Sequence, residues 1–160
     1  MKNLKNKKGF TLIELLAVIV VLAIVTVIAS SSILPYMSNA GRDAFASEAN
    51  IAIDGASNAM NLIQLGSIAS TNYKLTENAD GTKTYCFTLQ NLKDVSLWDK
   101  DDSTYAGKVV VTVPESGYSY TYSVTMHNKD YYVTGTGTIA NETVVKYDAE
   151  NTHKDVSFAC

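Results

Sequence analysis

Lys7-Lys8-Gly9-Phe10-Thr11-Leu12-Ile13-Glu14-Leu15-Leu16, followed at once by Ala17–Ala29 (AVIVVLAIVTVIA), is the stretch on which the reading of this chain turns. Phe10 to Leu34 spans 25 residues and holds a single charge, Glu14. About 20 apolar residues in a helix cross the hydrocarbon core of a bilayer. Pro35 is expected to stop or kink that helix. The residues before it, MKNLKNKKG, carry Lys2, Lys5, Lys7 and Lys8 and no acid. Positive charge beside an apolar helix stays cytoplasmic, so the rest of the chain is expected to face outward. A cleaved secretory signal fits less well. Its apolar region is shorter and ends in a small-residue cleavage site, whereas this one runs on to Pro35.

The whole chain has 160 residues, room for one ordinary domain. Hydrophobic residues make up 46% and charged residues 18%, which argues against disorder over most of the length. The net charge of −3 hides a partition. With the leader lysines inside, residues 42–160 keep nine basic and fifteen acidic side chains, a net of −6. An outward-facing domain this acidic is not expected to bind nucleic acid directly.

Glu14 is out of place in an ordinary anchor, because a carboxylate within an apolar membrane segment is costly unless it is protonated, near the headgroups or paired with a cation. A helix N-terminus also tolerates an anion through the macrodipole. With its neighbours the glutamate forms a more specific pattern. KKGFTLIELL, Lys7 to Leu16, resembles the class III leader junction of type IV prepilins, and the wider resemblance covers residues 1–66. It implies a leader, residues 1–9, cut after Gly9 by a membrane aspartyl prepilin peptidase, with N-methylation of the new terminus at Phe10. It implies that Glu14 serves methylation and assembly, pairing with the amine of Phe10 on a neighbouring subunit. Cleavage removes four lysines and creates one cation near the buried carboxylate. Opposite charges attract strongly in low dielectric, and the pairing would set subunit register along a fibre.

The rest of the chain fits an α+β plan: residues 10–34 a transmembrane and assembly helix, 35–66 its amphipathic half, 67–160 an antiparallel β-sheet head. From Asp43 to Leu65, Phe45, Ala49, Ala52, Ala56, Ala59 and Ile63 recur at helical steps, broadened by Ile53, Met60 and Leu62. Gly66 reads as the C-cap. Pro35 and Gly41 lie in a weak helical region, SSSILPYMSNAGR, which the resemblance implies can melt locally within a fibre; a simple kink at the membrane surface is the other reading. Beyond Gly66 the period becomes two. Lys83–Leu89, Lys108–Val113, Tyr118–Met126 and Tyr131–Ile139 read as strands, with shorter candidates at Thr143–Tyr147 and Asp155–Ala159. Short turns between them imply antiparallel pairing. The alternating face Tyr118, Tyr120, Tyr122, Val124, Met126 is expected to cover the amphipathic helix; an aromatic adhesion surface is the other reading.

Cys86 and Cys160 are the only thiols. If they pair with each other there is one intramolecular connectivity, closing a loop of about 75 residues and contributing about 4 kcal/mol by chain entropy. Two free thiols is the alternative. Pilins often fasten their C-terminal region with a disulfide, although the usual bridge encloses a shorter stretch. Asp99-Lys100-Asp101-Asp102 clusters oxygen ligands but lacks the EF-hand spacing, and reads as a solvated acidic loop with no metal. His127 and His153 have no adjacent Ser–Asp arrangement. No catalytic set and no cofactor site is expected. The resemblance implies a major pilin that self-assembles from the cytoplasmic membrane into an extracellular fibre serving adhesion, twitching motility or biofilm formation. A minor pilin, a pseudopilin of a secretion or competence system, and an uncleaved membrane-anchored adhesin are the alternatives.

Overall fold

The computed structural model describes residues 10–100, 104–116, 119–148, 150 and 152–160. Its elements are one long helix, α1 (Leu12–Gln64), and a six-stranded antiparallel sheet, an α+β arrangement. The strands are β1 (Lys74–Glu77), β2 (Lys83–Thr88), β3 (Ala106–Val113), β4 (Thr121–His127), β5 (Tyr131–Thr136) and β6 (Val145–Lys146). They lie in chain order, a simple meander. The short helix α2 (Leu89–Asp94) sits between β2 and β3. Two compact units divide at Asn39/Ala40.

In the first unit, every described large apolar side chain from Phe10 to Met37 is between 49% and 87% exposed. A helix of about 22 residues over Leu12–Ile33 is roughly 33 Å long, enough for the roughly 30 Å of hydrocarbon. Its polar residues are compatible with lipid because they satisfy themselves. Thr26 Oγ1 donates to the Ala23 carbonyl at 2.9 Å, Ser30 Oγ to Thr26 at 2.8 Å, and Ser31 Oγ to Ile28 at 2.9 Å.

Pro35 does not stop the helix: α1 continues through it and through Gly41. A proline removes one backbone donor, here the one aimed at the Ser31 carbonyl. Long regular turns on both sides carry the helix across that single gap. It ends instead at Gly66, whose φ is +69°. Gly66 N–H donates to Ile63 at 2.9 Å and Ser67 N–H to Leu62 at 2.8 Å, a Schellman cap.

In the second unit the apolar stripe of α1 packs on the inner face of the sheet. Phe45, Ala49, Ala52, Ala56, Ala59 and Met60 are buried against Phe87, Val109, Val111, Val124, Met126 and Val133. The alanines let the sheet approach closely. Burying each of the larger apolar side chains is worth about 2 kcal/mol. Tyr122 shares the inner face of β4 with Val124 and Met126; its hydroxyl lies 3.3 Å from Ser57 Oγ. Tyr120, just ahead of β4, accepts from Gln64 Nε2 at 2.5 Å. The tyrosine face therefore covers the helix; Tyr118 lies outside the described residues. Asn50 clamps the chain after β5 from both sides, donating to the Ile139 carbonyl at 2.9 Å and accepting its N–H at 2.7 Å.

Several expected strands differ in the structure. Thr143–Tyr147 reduces to a two-residue strand after a 3-10 turn. Asp155–Ala159 pairs with no strand. It crosses the sheet instead of running alongside it, so its carbonyls are met by lysine side chains. Two elements have no counterpart in the sequence reading. β1 is short, lies in the exposed class along its length and has one large apolar residue, Leu75, too little to register as alternation. α2 follows β2 without a break and is less than two turns long, below what periodicity resolves. A capping box starts it: Asn91 N–H donates to Thr88 Oγ1 at 3.1 Å, and Thr88 N–H to Asn91 Oδ1 at 3.0 Å.

Candidate functional site

Glu14 closes the first turn of α1. Thr11 N–H donates to Glu14 Oε2 at 2.8 Å, and Thr11 Oγ1 donates to the same oxygen at 2.9 Å. Glu14 N–H reaches back to Thr11 Oγ1 at 3.4 Å. Thr11 is thus the N-cap and Glu14 the third helical residue of a capping box. The Thr-x-x-Glu spacing is the signal in the sequence that points to this arrangement. Both bonds from Thr11 fall on Oε2, and Oε1 carries none among the described residues. One oxygen therefore holds the helix start while the other remains available to a cation. Phe10, the residue beside this cap, is 84% exposed. Gly9 lies outside the described residues.

Gly41 sits under Tyr131. A Cβ placed on Gly41 would lie 2.3 Å from the Tyr131 hydroxyl, so the helix needs a bare backbone here for packing. This is a role that the weak-helix reading of Gly41 does not contain. Tyr131 also packs on Phe45, ring centres 5.9 Å apart.

Cys86 and Cys160 form a disulfide, with Cα atoms 5.8 Å apart and a sequence separation of 74. Cys86 lies on the sheet face opposite α1, and the tail crosses that face. Phe158 meets His127 of β4 edge-on at 4.4 Å and Tyr132 of β5 at 6.4 Å. Lys108 Nζ of β3 donates to the Ala159 carbonyl at 2.9 Å, and Lys74 Nζ of β1 to that of Cys160 at 2.5 Å. The bridge is one of several ties that strap residues 158–160 over five strands.

The two histidines lie beside this strap, His127 at the end of β4 and His153 ahead of the tail. The Tyr147 ring has His127 stacked on it at 3.9 Å and His153 at 5.5 Å. His153 is buried, and its Nδ1 accepts the Asp148 N–H at 3.0 Å. Tyr105 is held on the other side of the head. Its hydroxyl donates to Glu48 Oε2 at 2.7 Å, and burial, then that carboxylate, pushes its pKa up to about 12. Of the acidic loop, Asp101 and Asp102 lie outside the described residues. Among those described, no group of three or more His, Cys, Asp or Glu side chains is placed to hold a metal.

An exposed apolar helix of membrane-crossing length, capped by its own glutamate, thus precedes an α+β head in one chain. Residues 4–30 match the family described as the prokaryotic N-terminal methylation motif, and the chain carries the class III leader of type IV pilin-like proteins. No curated protein and no solved structure matches the chain. The leader implies processing by a prepilin peptidase, and the helix fits membrane anchoring before assembly.

Proposed function

We propose that this protein is a structural subunit, a major pilin, of a type IV pilus. The observation that carries the reading is the methylation motif at residues 4–30, which runs into a helix whose described apolar side chains from Phe10 to Met37 are exposed. That surface is satisfied in lipid before assembly. Bundling such helices in a fibre core would keep it from water as the subunit leaves the membrane. Peptidase cleavage after Gly9 frees the amine of Phe10, which is then methylated. On assembly, the Phe10 amine of one subunit meets the Glu14 carboxylate of its neighbour. The heads form the outside of the fibre and determine what it touches, which makes adhesion, twitching and biofilm formation its uses.

Intact mass and N-terminal fragmentation of protein sheared from cells test this directly. A chain beginning at methylated Phe10 in the sheared fraction is the expected result. A chain with the same N-terminus confined to membranes would point to a pseudopilin. One still carrying Met1 would overturn both readings. Gly9→Val is expected to block cleavage, leaving only the longer form on a gel.

A further inference from the structure

We propose that the cleft between the β4–β5 turn and β6 is a binding site for an oxyanion, a carboxylate or phosphate ester carried on a sugar-sized molecule. The cleft, of about 760 Å³, is lined by His127, Asn128, Lys129, Lys146, Tyr147 and Asp148, with Thr104 at its edge. Backbone register brings the two lysines to it from different elements. Asn128 N–H donates to the Tyr131 carbonyl at 2.9 Å, closing the turn that carries Lys129. Tyr131 pairs with Lys146, and Tyr147 N–H donates to the Asp130 carbonyl at 3.0 Å. Turn and strand are thereby laced together with a lysine on each. Both lysines are exposed, and neither forms an ion pair among the described residues.

The surroundings of these lysines are rigid. Asn128 Oδ1 accepts the N–H groups of Asp130 at 2.9 Å and Tyr131 at 2.8 Å, which fixes the turn. His127 Nδ1 lies 3.0 Å from the Asn128 carbonyl. A carbonyl can only accept, so Nδ1 donates here and Nε2 is left as an acceptor, suited to a ligand hydroxyl and not to the oxyanion itself. Tyr147, with His127 stacked on it at 3.9 Å, forms the wall. Asp148 is the one carboxylate in the lining, and it is engaged in its own turn, its Oδ1 accepting the Glu150 N–H at 3.1 Å.

Charge decides the ligand class. Two unpaired ammonium groups facing one cleft repel each other, and an oxyanion between them relieves that repulsion. The head around them carries a net of −6, so its longer-range field disfavours a densely charged polyanion. A ligand with one or two anionic groups meets both conditions. This site is independent of fibre assembly, and the two readings fail separately.

The test uses the full chain in zwitterionic detergent micelles, titrated with glucuronic acid, glucose 6-phosphate and neutral glucose. NMR signals of Tyr147 and His127 report binding. Saturable shifts are expected with either or both acids and none with glucose; which acid acts distinguishes a carboxylate from a phosphate source. The double variant Lys129→Gln/Lys146→Gln is expected to weaken binding at least tenfold, and raising salt from about 20 to 300 mM to weaken it further, since exposed charges are screened over about 10 Å at 0.1 M. Lys154→Gln, an exposed lysine outside the lining, is expected to leave it unchanged. No shift with either acid, equal shifts with glucose, undiminished binding by the double variant, or an equal loss from Lys154→Gln would each overturn the proposal.

Discussion

The Tyr131 hydroxyl occupies the space where a side chain on Gly41 would begin, 2.3 Å from the Cβ position. That contact reverses the usual sign of a substitution. Gly→Ala at an exposed interior helix position gains about 1 kcal/mol. At Gly41 the new methyl would push the Tyr131 ring off Phe45, and overpacking of that kind costs about 1–3 kcal/mol. Gly41→Ala is therefore expected to lower the denaturation midpoint of the head, and to lower it by less when made in a Tyr131→Ala background. A Gly41→Ala protein more stable than the parent would show that the helix there is not held by the ring.

Ser96 is the one described non-glycine residue with positive φ, at 61°. It occupies the position after the C-cap of α2: Ser96 N–H donates to Lys93 at 2.9 Å and Leu97 N–H to Leu92 at 2.8 Å. This is the same Schellman geometry that Gly66 serves at the end of α1. A side chain in the left-handed region costs about 1 kcal/mol, which glycine avoids. Ser96→Gly is expected to raise stability by about 0.5–1 kcal/mol, less the extra entropy glycine brings to the unfolded chain. Chemical denaturation of the two proteins side by side measures it.

How much of this was legible beforehand varied with the range of the interaction concerned. The apolar run from Phe10, the alanine stripe of α1 and the alternation in β3 and β4 are local periodic signals, and the structure follows them. The disulfide was legible only as one option, because two cysteines in sequence do not show whether the chain brings them together. Gly41 was readable as a weak point of a helix, whereas its packing against Tyr131 depends on a strand 90 residues away. Glu14 carried a local signal, the Thr-x-x-Glu spacing, which the apolar setting of the carboxylate obscured. The tail strap had the least warning. An alternating stretch crossing a sheet looks, in one dimension, like one that joins it.

The tie between Tyr105 and Glu48 gives the head an alkaline limit. Burial and the Glu48 carboxylate both raise the Tyr105 pKa, to about 12, above the ordinary tyrosine value near 10. The folded state therefore holds the phenol proton more tightly than the unfolded one. Its contribution is fully present below about pH 10 and is lost as the pH rises toward 12. Thermal melts between pH 8 and 12 are expected to fall more steeply in the parent than in Tyr105→Phe, which has no proton to lose. Parallel curves would remove Tyr105 from the alkaline transition.

Cys86–Cys160 spans 74 positions, and chain-entropy reasoning assigns such a loop about 4 kcal/mol. The strap has other ties, so its local behaviour is distinguishable from global stability. Cys160→Ser is expected to lower stability by up to that amount and to release residues 158–160. Hydrogen exchange at Phe158 and Ala159 should then approach the unprotected rate, while β3 and β4, whose inner face is covered by α1, keep their protection under native conditions. If the tail stays protected without the bridge, the lysine–carbonyl bonds and the Phe158 contacts are sufficient to hold it.

Glu14 has two roles that separate by substitution. As a capping-box residue it needs only an acceptor oxygen for Thr11; as the partner of a neighbouring amine it needs a charge. Glu14→Gln keeps an oxygen and removes the charge, whereas Glu14→Ala removes both. Thr11→Ala leaves the carboxylate but deletes the hydroxyl that binds it. In micelles, amide exchange over Leu12–Leu15 is expected to be near that of the parent in Glu14→Gln and faster in Glu14→Ala and Thr11→Ala. All three should still be cut after Gly9. Sheared fibre yield should be low in both Glu14 variants and reduced less in Thr11→Ala. Normal fibre yield from Glu14→Gln would mean that the residue acts through the helix cap alone, and the charge pairing between subunits would have to be given up.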